Sequence, residues 1–530
     1  MVLRWLAPLL LLASLATVER TFQVDDFAAA DDRTTINRAF AAMRTTAGVK
    51  RLRFSARTYV IASDPAAGAT PLLDLADVRD LDLDGNGAVI EARDMLDAPG
   101  GYLLGVRAFA DVRIRDLRIT YRPLPFVQGR ITAVDQAVNR VEVELVPGFD
   151  GIGSLRRHAT AELWCRVGQP AEPHLPKAHS PSWLAVGDDG AGGVRREARG
   201  GGRWLLHAGG FDPARTIGGR HTWTVGDPLV VWQRGAQDAL AAWDGAGLRL
   251  EGIAIDSALH FAIKVRGVTG VAITGCRIEP GPGAWFSVSA DGIDVQQCRD
   301  VSVRGCRVVA NGDDGISFLN HGHGHNGTTV ETRFPPPLPE TNEEVRIEDC
   351  HLEGGNRNGI LLLAHRSLVT GNVLRHIRQY GVKCGGDDAV ISGNRFEAVG
   401  SFTPWSHIAD ELETGIVCSD MWTQHRWTVR GNRFTGCYHM PALLLRALAG
   451  TVVEDNRIEV EGRDADDLRP HAPSVPRPVA IRIASGSFRG APTRATGIIL
   501  RRNQVVGAGL APLQADPGQE WSGELPVGDR

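Results

Sequence analysis

The chain has 530 residues, of which 62 are glycine and only 23% are charged. Such a composition is typical of many short strands joined by tight turns, and it argues against a set of long surface helices. The formal net charge is -4, with acidic and basic residues mixed along the chain. This excludes the strongly basic surface that binds a nucleic-acid backbone, so we expect no nucleic-acid partner.

The N-terminal segment, residues 1–16, has the pattern of a signal peptide. Arg4 precedes the apolar run Leu6–Leu15, and Ser14 and Ala16 are small residues of the kind that a signal peptidase recognises. We therefore predict cleavage near Ala16 and a secreted or periplasmic protein. The run is too short to span a membrane, and no later segment has about 18 consecutive apolar residues. No membrane partner is expected.

Residues 17–122 are predicted to form an N-terminal cap and the first coils of a repeated structure. Ile36, Phe40 and Met43 recur at helical spacing after an acidic pair, which predicts a helix over Thr34–Met43. A repeated structure needs such a cap because its terminal unit would otherwise expose the apolar interior.

Residues 123–233 lack the repeat and contain longer strands with alternating apolar residues, such as Ile131–Val146 and Thr222–Trp232. Alternation with a period of two predicts strands that are buried on one face. We interpret this segment as an inserted β-barrel-like or sandwich-like module.

A six-residue sequence with cysteine or asparagine at its fourth position recurs through residues 234–507. We call it the corner sequence, because it is expected to form the same turn between strands in each repeat. Successive steps of 22 residues separate Cys350, Asn372 and Asn394. The corner residues are Cys276, Cys306, Cys350, Asn372, Asn394, Asn432 and Asn456. This period predicts an all-β fold, a right-handed parallel β-helix, whose equivalent strands pair about 4.8 Å apart. Residues 508–530 lack the repeat and are predicted to be a disordered tail.

The corner residues also predict how neighbouring coils are held together. Asparagine at this position can hydrogen-bond to the next coil, and cysteine is small enough to replace it. For Cys276, Cys306 and Cys350 we favour stacked free thiols over a disulfide.

Two Asp-Gly-Ile phrases in neighbouring coils contain the candidate catalytic residues. Aligning Ala290–Asp294 with Asn311–Ile316 places Asp314 one coil from Asp291, with Asp313 beside it. Repulsion between like charges raises the pKa of at least one such carboxyl. The cluster therefore suits a reaction in which one carboxylic acid protonates a leaving oxygen and a second carboxylate activates water.

A purely structural interpretation of these phrases is also available, because Asp-Gly pairs are common in turns. Three carboxylates in register would, however, destabilise a ladder of strands, which favours a functional interpretation. Gly292 and Gly315 lie on the same strands, and we expect their missing side chains to let a sugar ring approach the backbone.

The N-terminal phrases Asp25–Phe27, Asp31–Phe40 and Ser55–Val60, together with the corner ladder, resemble the pectin-lyase-like β-helix superfamily. Asp291 and the Asp313–Asp314 pair resemble the aspartates of its polygalacturonase and α-1,3-galactosidase branches. That resemblance implies an inverting glycoside hydrolase, in which the first residue of the pair is the general acid and the other two aspartates hold the nucleophilic water.

The resemblance also bears on the substrate, an oligo- or polysaccharide. The inserted module and the phrase from Asp313 to Gly322 look closer to the α-1,3-galactosidase branch, which implies α-galactosidic or related α-glycosidic bonds. Ser317 departs from the asparagine expected in that branch. Lys383 matches a lysine of the polygalacturonase pattern, but the arginine two residues earlier is missing, which argues against a uronate substrate.

Further residues are predicted to bind substrate because they share a column with the aspartates or lie in adjoining loops. They are Asp294, His321, Lys383, Trp285, Arg357 and His365. Lys383 either binds a substrate hydroxyl or pairs with Asp294, and Trp285 either contacts a sugar ring or anchors its loop. The glycine-spaced histidines that begin at His321 favour a loop over a metal site, so neither a metal nor another cofactor is predicted.

Two other functions remain open. A metal-dependent polysaccharide lyase acting on uronates would bind its ion through acidic residues and use Arg357 or Lys383 to abstract a proton. A non-catalytic carbohydrate-binding β-helix protein is the second, because this fold is used for unrelated tasks.

Overall fold

The computed structural model describes residues 19–530 except 64–70, 97–100, 136–139, 150–151, 153–154, 156–161, 178–194, 208–222, 236, 320–341, 401–414, 420–423, 437–440, 460–478, 489–490, 508–510, 525–526 and 529–530. The predicted signal peptide and His321 lie outside the described residues. Within the described part, no helix has both the length and the apolar character needed to cross a membrane.

The chain folds into a right-handed parallel β-helix whose strands form three faces. Face 1 consists of Leu73–Ala76, Gly101–Arg107, Ile293–Gln296, Ile316–Leu319, Ile360–His365, Val382–Gly385, Val417–Ser419, Leu443–Arg446, Val479–Ala484 and Ala511–Ala515. Face 2 consists of Arg20–Gln23, Lys50–Arg53, Arg79–Asp84, Ala110–Arg115, Arg299–Arg304, Asn342–Glu348, Leu368–Thr370, Val390–Ser392, Thr428–Arg430, Val452–Glu454, Ile498–Arg501 and Trp521–Gly523. Two long strands, Gln237–Glu251 and Ile263–Thr274, run through both faces.

Face 3 consists of Thr58–Ala62, Val89–Arg93, Arg118–Arg122, Ala254–Ile255, Arg277–Ile278, Arg307–Val309, His351–Glu353, Val373–Arg375, Arg395–Glu397, Arg433–Thr435, Arg457–Glu459, Gln504–Val506 and Val527–Gly528. Short pairs outside these faces join Gln424–His425 to Leu448–Ala449 and Gly486–Phe488 to Ala491–Thr493. The architecture is the one that the resemblance to the pectin-lyase-like superfamily implies.

Aliphatic residues fill the interior of the β-helix. Ile263, Ile293, Ile316, Ile360 and Val382 are neighbours in successive coils and have no exposed surface. Burying a side chain of this size contributes about 1.5–3 kcal/mol relative to leaving it exposed. The repetition of this contribution holds each coil in register with the next.

The predicted corner ladder is confirmed. Asn372 Nδ2 donates to Ile347 O in the preceding coil at 2.9 Å, and Asn372 N donates to Asn394 Oδ1 in the following coil at 3.0 Å. Cys350 occupies the same position and its backbone N–H donates to Asn372 Oδ1 at 2.8 Å. The described cysteines are free thiols, as favoured from the sequence.

The capping helix is also confirmed, over Asp32–Thr45, preceded by a short 3-10 helix at Val24–Phe27. Asp31 accepts a hydrogen bond from Thr34 N at 2.7 Å and thereby satisfies one of the free amides at the helix N-terminus. Ile36, Phe40 and Met43, the residues that predicted the helix, are at most 1% exposed and cover the end of the β-helix core.

The inserted module is a six-stranded antiparallel sheet formed by Phe126–Asp135, Arg140–Leu145, Glu162–Val167, Arg195–Gly200, Arg203–His207 and Pro228–Arg234. It has a core of its own, and a second cluster packs Phe126 and Trp232 of the module against Phe286 of the β-helix. Phe286 lies a few residues before Asp291, so this contact holds the module beside the candidate site.

The prediction of a disordered tail from residue 508 is wrong for the described part of that segment. Ala511–Ala515 pairs with Val479–Ala484, and Trp521–Gly523 pairs with Ile498–Arg501. The tail residues follow no clear corner sequence, but backbone pairing with the preceding coil needs no particular side chain.

Candidate active site

Asp291, Asp313 and Asp314 converge where two neighbouring strands of face 1 begin. The strand register pairs Ile293 with Ile316, and the N–H of Asp313 donates to Ala290 O at 3.2 Å. One carboxylate oxygen from each aspartate lies within 4.8 Å of the other two. All three residues are buried, at 3–4% exposure. The β-helix register thus brings together residues that are more than twenty positions apart in sequence.

Two of the aspartates each use one oxygen to hold the next coil. Asp291 Oδ1 accepts the N–H of Asp314 at 3.1 Å, and Asp314 Oδ1 accepts the N–H of Asn358 at 3.1 Å. Asn311 fixes the same turn through Nδ2, which donates to the backbone oxygens of Asp313 and Asp314 at 2.9 and 2.8 Å. Each of these carboxyls has a second oxygen, and that of Asp291 lies 2.6 Å from Ser317 Oγ.

Asp313 is the aspartate that interacts with cations. Arg234 Nη2 lies 2.8 Å from Asp313 Oδ2, and Arg357 Nη1 lies 3.6 Å from Oδ1. The Oδ1 atom is buried and accepts no hydrogen bond from the residues that the structure describes. A guanidinium beside a carboxyl favours its ionised form, and within the trio the guanidiniums of Arg234 and Arg357 lie beside Asp313.

The other two carboxyls are shifted toward their neutral forms. Burial, followed by repulsion from Asp313, raises the pKa of Asp314 to about 7, against an opposing effect of Arg357. Burial and the neighbouring charges of Asp314 and Asp313 raise the pKa of Asp291 well above its usual range. The cluster therefore combines one carboxyl that has guanidinium groups beside it with two carboxyls whose pKa values are raised.

Asp294, predicted to bind substrate, has no exposed surface and belongs to a buried network. Ser317 Oγ lies 2.6 Å from Asp291 Oδ2 and 3.1 Å from Asp294 Oδ1. Gln296 Nε2 donates to Asp294 Oδ2 at 2.6 Å. The observed contacts of Asp294 are thus with protein groups behind the aspartate trio.

Lys383 lies in the same outward column as Asp294, as predicted, but three coils away, because the register passes through Ser317 and Leu361. Three strand spacings of about 4.8 Å place roughly 14 Å between their backbones. An ion pair between these two side chains is therefore excluded. The Lys383 ammonium instead lies 5.5 Å from the ring centroid of Tyr380.

Two other predicted substrate contacts have structural partners. His365 Nδ1 accepts the N–H of Asp387 at 3.0 Å and so links neighbouring coils. Trp285 N donates to Gln128 Oε1 at 2.8 Å, and its carbonyl accepts a hydrogen bond from Arg166 at 3.3 Å. Both Gln128 and Arg166 belong to the inserted module. These backbone contacts anchor the Trp285 loop, while contact of the Trp285 ring with a sugar stays a prediction.

The expectation that Gly292 and Gly315 admit a sugar ring is wrong. A Cβ on Gly292 would lie 2.6 Å from Gly315 O and 2.6 Å from a methyl of Val308, inside the coil. A Cβ on Gly315 would lie 2.7 Å from Gly359 O. The space that these glycines leave is filled by the neighbouring coil, so their role is to allow close stacking.

Arg234 was not identified from the sequence. It ends the strand Pro228–Arg234 of the inserted module, which has no coil repeat, so no register relates it to Asp313. The one available signal is its position at the return from the module to the β-helix, where a side chain necessarily lies near the coils that follow. Arg357, which was predicted, precedes Asn358 in the column of Asp314 and does reach the site.

The three aspartates also have the spacing of a cation site, since oxygens within 4.8 Å of one another can share one divalent ion. Two features oppose such an ion. The guanidiniums of Arg234 and Arg357 already lie beside Asp313, and both oxygens of Asp291 lie at hydrogen-bond distance from protein groups. The donor set therefore fits proton transfer better than it fits a metal.

No family model and no curated protein matches the sequence. Solved structures that it resembles include a glycoside hydrolase, with 12% identity, a TM-score of 0.43 and 96% of each chain covered. PfbA, a surface adhesin of Streptococcus pneumoniae, has 11% identity and a TM-score of 0.40 over 93% of this chain and 90% of that one. The Dettilon tailspike protein has 12% identity and a TM-score of 0.38. The match covers 93% of this chain and 64% of the tailspike chain. Similarities at this level decide nothing about activity, so the function is argued from the site.

Proposed function

We propose that the protein is an exported glycoside hydrolase that cleaves α-galactosidic or related α-glycosidic bonds of an oligo- or polysaccharide. The observation that supports this proposal is the aspartate trio, in which three buried carboxyls within 4.8 Å of one another have different surroundings: Asp313 lies beside an arginine, and the pKa values of Asp314 and Asp291 are raised. Glycoside hydrolysis needs one carboxylic acid to protonate the leaving oxygen and one carboxylate to act on the opposite side of the sugar.

Asp314 is the proposed general acid. With a pKa of about 7 it is half protonated at neutral pH, which suits a group that gives up its proton in each cycle. Asp313 is the proposed base: the guanidinium beside its Oδ2 favours the ionised form that takes a proton from water, and its Oδ1 accepts no hydrogen bond from the described residues. This exchanges the roles that the resemblance implies for the two residues.

Inversion of configuration is part of the proposal and follows from the resemblance. Inverting enzymes typically separate the two carboxyl groups by about 6.5–9.5 Å to admit a water molecule. The nearest oxygens of the trio lie within 4.8 Å of one another, which is shorter than that range. The configuration of the first product, followed by NMR, is therefore the deciding measurement: an inverted anomer is expected, and a retained anomer contradicts the mechanism.

A substrate screen tests the proposed activity. The purified protein is incubated with aryl α-galactosides, α-linked galacto-oligosaccharides and oligogalacturonides, with Asp313→Asn and Asp314→Asn run in parallel. Asp388→Asn is the matched control, because Asp388 is an exposed aspartate paired with Arg426 away from the trio. We expect release of galactose that Asp313→Asn loses on every substrate, that Asp314→Asn loses on the unactivated oligosaccharides, and that the control retains. Hydrolysis that survives both substitutions, or appears only with uronates, contradicts the proposal.

Export is proposed from the sequence of residues 1–16 alone. Expression of the full chain with cell fractionation and N-terminal sequencing tests it. Mature protein outside the cytoplasm that begins near residue 17 is the expected result, whereas cytoplasmic protein with an intact N-terminus contradicts it.

A further inference from the structure

Ser317 connects the aspartate trio to a fourth buried carboxyl, Asp294. Its Oγ lies 2.6 Å from Asp291 Oδ2 and 3.1 Å from Asp294 Oδ1, and all three side chains are at most 3% exposed. Both contacts have hydrogen-bond length. The arrangement is a continuous line of three oxygens leading from the site into the protein.

We propose that the Asp291–Ser317–Asp294 line holds one proton between its two carboxyls, with Asp291 neutral and donating to Ser317 and with Ser317 donating to an ionised Asp294. Asp291 is then a neutral member of the trio, and Ser317 and Asp294 are positioning residues that keep it so. The functional part of this inference rests on the proposed function, while the proton count applies to the resting protein.

The proton count follows from the number of hydrogens. A serine hydroxyl has a single hydrogen, so it can donate to only one of its two carboxyl neighbours at full strength. If both carboxyls were ionised, the second would face an oxygen lone pair at hydrogen-bond distance in a buried setting, which is unfavourable. A second hydrogen, carried by one carboxyl, satisfies both contacts.

The neighbouring charges place that hydrogen on Asp291. Asp291 faces Asp313 and Asp314, whose negative charges oppose its ionisation. Asp294 accepts a hydrogen bond from Gln296 Nε2 at 2.6 Å, and the buried Lys264 is its partner in the strand register. A hydrogen-bond donor and a register-paired lysine favour the ionised form of Asp294.

This arrangement bears on the proposed reaction by removing Asp291 as a base. A neutral Asp291 cannot accept a proton from water, so that step falls to Asp313, and repulsion within the trio is reduced by one charge. Asp291 Oδ1 still accepts the N–H of Asp314. Asp291 therefore fixes the position of Asp314 without competing for its proton.

Infrared spectroscopy of the resting protein tests the proton count without a substrate. The spectrum is taken about two pH units above the pKa of about 7 of Asp314, so that Asp314 contributes no protonated carboxyl band. We expect one such band in the unaltered protein. Asp291→Asn should abolish it, Asp294→Asn should retain it, and Ser317→Ala should shift its frequency. The control is Ser392→Ala, whose Oγ bonds Thr370 on face 2.

Absence of the band, or its loss in Asp294→Asn with retention in Asp291→Asn, overturns the proposal.

A kinetic experiment compares Ser317→Ala and Ser317→Thr with the unaltered protein. We expect the alanine variant to lose about 10–100-fold in kcat with an altered pH profile, and the threonine variant to recover both because it keeps a hydroxyl. Equal kinetics for alanine and unaltered protein overturn the positioning role. If the infrared result holds and no glycoside is cleaved, only the proposed function fails.

Discussion

Arg234 and Asp313 join the inserted module to the coils that contain the aspartate trio, with Arg234 Nη2 2.8 Å from Asp313 Oδ2. The arginine ends the module strand Pro228–Arg234, and the aspartate precedes the β-helix strand Ile316–Leu319. Their side chains are 28% and 6% exposed, so solvent screens this pair less than a surface ion pair. The module is therefore part of the site and supplies one of its charges.

Replacing Arg234 with glutamine should reduce the hydrolysis rate by about 10–100-fold, because a buried carboxylate loses its counter-ion. Arg234→Lys should recover part of the loss, since it restores a positive charge without the planar guanidinium. Arg203→Gln is the matched control, as Arg203 pairs with Glu142 on the exposed side of the same module. Rates are measured on the substrate found in the screen, and an unchanged rate for Arg234→Gln would contradict the role of this pair.

The assignment of the acid can be separated from that of the base by the choice of leaving group. Asp314→Asn should lose about 10²–10⁴-fold on an unactivated glycoside but much less on an aryl glycoside whose leaving group needs no proton. Asp313→Asn should lose activity on both substrates, because the base is needed in either case. The opposite pattern would restore the roles that the resemblance implies.

The pH–rate profile should show the same acid. Asp314 is active when protonated, so kcat should fall as the pH rises through about 7 in the unaltered protein. In Asp314→Asn this descending limb should be absent from the residual activity. If the descending limb persists in Asp314→Asn, the limb belongs to another titrating group and the assignment of Asp314 as the acid is wrong.

The raised pKa of Asp314 also predicts an effect on stability. Its pKa is about 7 in the folded state and near 3.8 when unfolded, so the folded state binds more protons between these values. The stability that it contributes is present below about pH 4 and is lost as the pH rises through about 7. Asp314→Asn should therefore raise the Tm relative to the unaltered protein at pH 8, measured by calorimetry.

The control for this measurement is Asp388→Asn. The pKa of Asp388 is lowered by its hydrogen bond with Arg426, so its replacement at pH 8 removes a favourable interaction. The exposed ion pair contributes little, about 0–1 kcal/mol, and the Tm should fall slightly or stay the same. A lower Tm for Asp314→Asn than for this control would show that Asp314 stabilises the fold.

The sequence predicted those features that the coil period controls. Asp291, Asp313 and Asp314 could be brought together because the 22-residue step and the shared Asp-Gly-Ile phrase define a register. Arg357 could be found for the same reason. A shared column did not predict distance along the β-helix axis. The predicted alternative in which Lys383 pairs with Asp294 overlooked the two coils that lie between them.

Contacts between the β-helix and the inserted module could not be predicted from the sequence, because the module lacks the coil repeat. Arg234 comes from a module without coils, and the fixing of Trp285 depends on Gln128 in that module. A repeated sequence predicts which residues of the repeat are neighbours. Contacts between the repeat and a module that lacks it follow no periodic pattern in the sequence.

Gly315→Ala tests whether the strand glycines are structural. The new methyl would lie 2.7 Å from Gly359 O in the next coil, a backbone atom that cannot move without opening the stack. We expect a loss of about 1–3 kcal/mol in the free energy of unfolding. Gly281→Ala is the control, because its nearest neighbour is at 3.5 Å. Equal stability of the two variants would contradict the close-stacking role.

Metal removal separates hydrolysis from the alternative of a metal-dependent lyase. The arginines beside Asp313 and the hydrogen bonds to both oxygens of Asp291 leave little coordination capacity at the trio. Dialysis against a chelator should therefore leave the rate unchanged, and added calcium should not raise the Tm, because a ligand that binds the folded state would stabilise it. Loss of activity on chelation, restored by calcium and accompanied by an unsaturated product that absorbs in the ultraviolet, would replace the hydrolase with a lyase.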